Sequence, residues 1–267
     1  TFKMYGGTIC GHGGHAGAGV LVNLTDSVFE MYGGAIKGNN AGTNKRGGGV
    51  YVYKSTFTMT GGTISDNKAS SGGGVCMDYA DATFNLSGTA SISDNTATDY
   101  GGGVCWLDGT FNVNGTPVIS GNKNADGAVN NVYVYNSNLI NIKGMLDEGA
   151  KIGVSTSKTP TAETPVQIAA GASGSRNYTE IFKPDVTNQG YVVVQNGTGL
   201  YLSAHKHNWT YKKSADGKTI TASCDAGNCP TEDGGSVTIK APAVEPLTYD
   251  GKAKAAMLVG KFTNGES

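Results

Sequence analysis

Six apolar landmarks recur along the first half of this chain: Phe2, Phe29, Phe57, Phe84, Phe111 and Ile140, at steps of 27, 28, 27, 27 and 29 residues. A period this regular means that one supersecondary unit is copied along an axis, which constrains the architecture before any single residue is weighed. Set in register, Phe2-Lys3-Met4-Tyr5-Gly6-Gly7-Thr8-Ile9 matches Phe29-Glu30-Met31-Tyr32-Gly33-Gly34-Ala35-Ile36 and Phe57-Thr58-Met59-Thr60-Gly61-Gly62-Thr63-Ile64. Later copies open at Phe84 and Phe111 and reach Ile92 and Ile119 after one inserted residue.

Within each copy apolar and polar residues alternate, the signature of a strand with one buried face. A Gly pair turns the chain, and a second short strand carries the Ile. An Asn follows three residues later, at Asn39, Asn67, Asn95 and Asn122. A second Gly cluster then leads into a third strand, at Val50-Tyr51-Val52, Val75-Cys76-Met77 and Val104-Cys105-Trp106. Gly and Asn tolerate the left-handed backbone that such corners need. Helical hairpins, the competing repeat class, fail because no copy has apolar residues at helical spacing, and each Gly would cost about 1 kcal/mol in a helix. The fold expected is all-β: a right-handed parallel β-helix with three short strands per turn of about 27 residues, stacked about 4.8 Å apart.

The run GGGVYVYKSTFTMTGGTISDNKASSGGGVCM resembles the Gly-Gly-rich β-helix repeats of large bacterial surface proteins, among them the polymorphic outer-membrane and adhesin-like families. The likeness is strong to about residue 122 and weaker to 203. It implies a cell-surface, extracellular location. It implies no particular activity, because such repeats serve adhesins, autotransporter passengers and polysaccharide-active enzymes alike.

After Asn122 the pattern decays. Val129, Val132 and Val134 keep a strand, and Ile140 and Ile142 take the Phe and Met slots. Lys158 to Pro165 reads as a loop leaving the stack. Tyr191-Val192-Val193-Val194 and Leu200-Tyr201-Leu202, around Asn196-Gly197, read as a closing hairpin. The domains expected are a β-helix over 1–203, a small β module over 204–241, and over 242–267 the start of a further module. In that last stretch Leu247-Thr248-Tyr249-Asp250-Gly251 resembles the Tyr-Asp-Gly type β-sandwich modules of Gram-positive surface proteins. The chain opens inside a repeat and ends without an obvious finish, so it is expected to be part of a longer polypeptide and monomeric.

Charged residues make up 15% of the chain and the net charge is −1, which argues against a nucleic-acid surface. No apolar run approaches the roughly 18 residues of a membrane helix, so no membrane insertion is expected. Pectate-lyase-like chemistry needs clustered basic and acidic groups, and this sequence has only two arginines, Arg46 and Arg176.

Several candidate sites remain. Asp66 and Asp94 share a repeat position and are the weak candidates for a catalytic or calcium-binding pair; Ser-Asp-Asn is also ordinary turn chemistry. Tyr51, Tyr53, Tyr79, Tyr100 and Trp106, with Tyr133 and Tyr135, lie on or near the third strand, where outward rings would stack on sugars or a partner protein. His205, His207, Cys224 and Cys229 have the residue types of a structural zinc site. A Cys224–Cys229 disulfide and plain free thiols are the alternatives, and no cofactor is otherwise required. Cys76 and Cys105 share a repeat position and are expected to be free thiols, as is Cys10; His12 and His15 are expected to be solvated. The function these features favour is adhesin-like: display of a rigid face to a glycan or a host or surface protein, with Ala41 to Arg46 and Asp78 to Asp81 varying that face. A carbohydrate-active enzyme and a mechanical spacer are the alternatives.

Overall fold

The computed structural model describes residues 1–173, 176–185, 190–205, 209–216, 218–224, 233–240 and 257–259. The chain divides into two compact units, Thr1–Ala204 and His205–Ser267.

The first unit is a parallel β-helix with three faces. The Phe sheet stacks Phe2–Met4, Val28–Met31, Thr56–Met59, Thr83–Leu86, Thr110–Gly115 and Ile140–Leu146, one strand per coil. The Ile sheet stacks Thr8–Cys10, Ala35–Lys37, Thr63–Ser65, Ser91–Ser93 and Val118–Ser120. The Val sheet stacks Val20–Asn23, Val50–Tyr53, Val75–Asp78, Val104–Trp106 and Val132–Val134. In the last coil one uninterrupted strand, Lys151–Thr156, pairs first with Val118–Ser120 and then with Val132–Val134, so it joins the two sheets without a corner. A further short ladder, Lys68–Ser71, Thr96–Tyr100 and Lys123–Asn124, runs along the corner between the Ile and Val sheets. The sequence pattern did not anticipate it, because it lacks alternating large apolar residues.

Register is strict. Phe2, Phe29, Phe57, Phe84 and Phe111 are successive Cα partners. Their rings stack at 5.3, 4.9, 4.9 and 5.0 Å, within 10° of parallel. Met4, Met31, Met59, Leu86, Val113 and Ile142 form the next ladder inside. A one-residue slip would turn every such ladder outward, which is why the copies keep their spacing. Phe29 to Phe111 are fully buried, whereas Phe2, on the outermost coil, is 52% exposed.

The third interior ladder is polar. Asn39, Asn67, Asn95 and Asn122 are buried at the corner after the Ile strand. The amide oxygens of Asn67, Asn95 and Asn122 each accept both the backbone N–H and the Nδ2–H of the Asn one coil earlier, and Asn39 Oδ1 accepts the His12 N–H; Asn95 Oδ1 takes both from Asn67, each at 3.0 Å. Each Nδ2 also donates to the carbonyl of the preceding coil's Ile, as Asn95 does to Ile64 at 2.9 Å. Every corner amide is thereby satisfied without water. The Gly before each Val strand lets the backbone approach this ladder. A Cβ on Gly74 would lie 2.6 Å from the Gly103 carbonyl, 2.9 Å from Ile92 Cγ2 and 3.0 Å from Asn95 Nδ2.

The far end is closed by Val166–Ala170 and the antiparallel pair Tyr191–Asn196 and Gly199–Ala204. This is the hairpin expected from the sequence. Phe182–Pro184 pairs with Lys151–Thr156 in parallel. Val129, expected on a strand, lies outside it and is exposed. The second unit holds an antiparallel sheet of Trp209–Lys213, Thr219–Cys224, Asp233–Lys240 and Met257–Val259. Its last strand comes from the stretch that the sequence reading set apart at 242–267.

Candidate functional site

Along a Val strand the period of two sends Val75 and Met77 inward and Cys76 outward, with the same parity in every coil. The outward ladder reads Leu21, Tyr51, Cys76, Cys105, Tyr133, Ser155. Although they face away from the core, Cys76 and Cys105 are fully buried. Both are free thiols. Burial pushes the Cys76 thiol up, and the neighbouring Cys105 thiol, hydrogen-bonded to it, adds to the effect. Cys76 is therefore a packing group rather than a nucleophile.

On this side of the Val sheet lies a groove of about 700 Å³, lined by Asn44, Lys45, Arg46, Ser70, Ser71, Asp78, Asp99, Tyr100, Leu107, Asp108, Tyr135 and Asn136. Its walls come from four successive coils. At one wall Arg46 pairs with Asp78 Oδ2, which also accepts the Tyr51 hydroxyl at 3.1 Å. Tyr51 is half-buried, and that burial, with the Asp78 charge, raises its pKa. At the other wall Tyr100 stacks on Tyr133 with ring centres 4.5 Å apart, and Tyr100 remains 47% exposed. Asp99 accepts from Thr98 Oγ1 at 3.2 Å and Asp108 from its neighbour's amide, Gly109 N, at 2.7 Å. Both side chains are on exposed residues.

Beyond Asp78 the aromatic network continues. Tyr53 meets Tyr51 at 6.1 Å and Tyr79 edge-on at 4.5 Å. The Lys54 ammonium lies 4.8 Å from the Tyr79 ring centre and 5.5 Å from that of Tyr53, a cation–π arrangement. Of the five rings singled out from the sequence, Tyr51, Tyr53 and Tyr79 thus form one network and Tyr100 stands on the opposite wall. Trp106 is not among them: it is 1% exposed, packs edge-on against Phe111 at 5.8 Å, and donates its indole N–H to the Gly109 carbonyl at 3.3 Å. Its register with Val52 and Met77 places it inside.

Asp66 and Asp94 are exposed and do not line the groove. Both adopt left-handed backbone, φ +56° and +57°, at a corner position where the flanking coils carry Gly38 (φ +64°) and Gly121 (φ +75°). Asp is one of the few other residues that tolerates this conformation. The turn chemistry explains the pair fully. Of the residues proposed for zinc or a disulfide, His207, Cys229 and the side chain of Cys224 lie outside the described residues. Among the described residues no three His, Cys, Asp or Glu side chains cluster to hold a metal ion.

A glycosidase-type pair needs one carboxyl desolvated enough to hold a proton beside an ionised partner. In the groove Asp78 is engaged by Arg46 and Tyr51, while Asp99 and Asp108 face water. The arrangement sets ring faces, carboxylates and cationic donors side by side. Comparison with protein-family models, curated proteins and solved structures gives no match.

Proposed function

We propose that this chain is a non-catalytic recognition rod, an adhesin-like bacterial surface protein in which the β-helix holds an extended ligand along the outer side of the Val sheet. The observation that carries the reading is the groove itself. It combines exposed Tyr100 and Tyr135 with Asp99, Asp108, Lys45 and Arg46 on rigid, laddered strands. A preorganised site of this kind loses little entropy on binding. Ring faces with mixed-sign hydrogen-bonding groups suit a glycan strand better than an apolar peptide. The near-neutral chain and the unpaired groove carboxylates disfavour a polyanion.

The test is a glycan array followed by titration of hits against the full chain. Tyr100→Ala is expected to weaken binding about tenfold, as loss of a central aromatic anchor does. Failure of every glycan on the array to bind would overturn the glycan-recognition reading. The three groove aspartates favour one second reading, a polysaccharide-cleaving enzyme. New reducing ends or unsaturated products, released by the wild type and abolished in Asp99→Asn or Asp108→Asn, would establish it.

A further inference from the structure

The loop that leaves the stack at Lys158 to Pro165 borders a second cavity, of about 450 Å³. Asn136 lines both this cavity and the groove, so the two are neighbours. Their chemistry differs. The groove carries three aspartates beside Lys45 and Arg46. Among the described residues the second cavity has a single charged lining residue, Lys158, and no carboxylate. Glu163, on the same loop, does not line it. The rest of the polar lining includes the hydroxyl residues Ser137 and Thr164 and the amide residues Asn136 and Gln167, with Leu139 and Val166 as apolar surface.

Lys158 is held in place. Its Nζ donates to Ser137 Oγ at 2.8 Å, and its carbonyl accepts from Thr156 Oγ1 at 2.7 Å. An ammonium is a multiple donor, so this one keeps capacity for a ligand. Among the described residues no carboxylate pairs with it. The Asn136 N–H donates to Ser157 Oγ at 2.8 Å, which fixes the shared wall. The coils behind the cavity are tied together as well. Asn122 donates to Asn131 Oδ1, and Asn131 in turn donates to both carboxylate oxygens of buried Asp185. A site fixed in this way loses little entropy on binding.

Such a lining suits an oxygen-rich ligand with one negative charge: a carboxylate accepts from the ammonium, and ring hydroxyls meet the neighbouring hydroxyls and amides. We propose that the second cavity is a subsite for an acidic sugar, a uronic acid or another carboxylated unit, at the end of the chain that the groove holds. The proposal takes its ligand class from the glycan reading of the groove. One acidic unit, rather than a polyanion, reconciles Lys158 with the groove aspartates, which repel further negative charge.

The experiment uses the full chain and amide NMR titrations with D-glucuronate, with glucose and inorganic sulfate as controls at matched ionic strength. Glucuronate at millimolar concentration is expected to shift the amides of Ser137, Lys158, Thr164 and Gln167; glucose and sulfate are not. Lys158→Gln, which retains a donor for Ser137, is expected to weaken glucuronate binding about fivefold, the worth of one exposed charge pair, and Lys158→Arg to keep it. Tyr100→Ala, in the groove, should leave these shifts unchanged. Equal shifts with sulfate would reduce the site to a bare anion contact, equal shifts with glucose would remove the role of the charge, and no shifts would leave no subsite; each result overturns the proposal. Array glycans that bind while glucuronate leaves the cavity silent would overturn it alone and spare the groove reading. Glucuronate shifts with no glycan bound on the array would support the subsite and remove the groove reading.

Discussion

At the scale of single residues, the ladders make each interior side chain answerable to two neighbours. Asn95→Ala removes the acceptor for two buried donors of Asn67. It should cost about 3 kcal/mol in denaturant unfolding, since each orphaned donor is worth about 1–3 kcal/mol. Phe84→Ala, between two stacked rings, should cost about 3–5 kcal/mol by the same measurement. Asp94→Gly, by contrast, relieves left-handed backbone at an exposed corner and should change stability by less than about 1 kcal/mol, because what it gains in strain it partly returns in chain entropy. The Phe and Asn ladders were legible because identical residues recur at one spacing. Asn131 and Asp185 were not, because they reach the same interior column from a different position in the coil. Trp106 was misread as an outward ring although alternation from Val104 already sends it inward. The signal was in the period of two, and the aromatic character of the residue obscured it.

At the scale of elements, corners decide what each face does. The coil that lacks a corner, Lys151–Thr156, is also the one that admits Asn131 and Asp185 to the interior. No periodicity could announce this, since the strand reads as one uninterrupted run. The corner ladder Lys68–Ser71 and Thr96–Tyr100 was illegible for the opposite reason, since small and polar residues carry no apolar rhythm. It nevertheless supplies Ser70, Ser71, Asp99 and Tyr100 to the groove. Of the aromatic set named from the sequence, Tyr100 and Tyr135 line the groove, Tyr51, Tyr53 and Tyr79 form a network beside it, and Trp106 is buried. The loop from Lys158 to Pro165 is held by Lys158 Nζ to Ser137 Oγ, by Thr161 with Thr164 and Ser203, and by buried Pro160. Replacing it with a short Gly-Ser linker should lower stability by about 1–3 kcal/mol in thermal unfolding, because it loses the buried Pro160 and these hydrogen bonds.

At the scale of the whole first unit, a stack of coils has nearest-neighbour energetics. One end is closed by a hairpin, whereas the outermost coil of the other exposes Phe2, Tyr5, Leu21 and Leu24. Amide protection should be highest in the coils that contain Phe57, Phe84 and Phe111 and should fall toward residues 2–23. The account stands on in-register stacking of those coils. Aromatic NOEs in selectively labelled protein test this most directly. Contacts between Phe57 and Phe84 and between Phe84 and Phe111, with none between Phe57 and Phe111, are predicted. Absence of the neighbouring contacts, or rings exposed to a solvent relaxation agent, would contradict it.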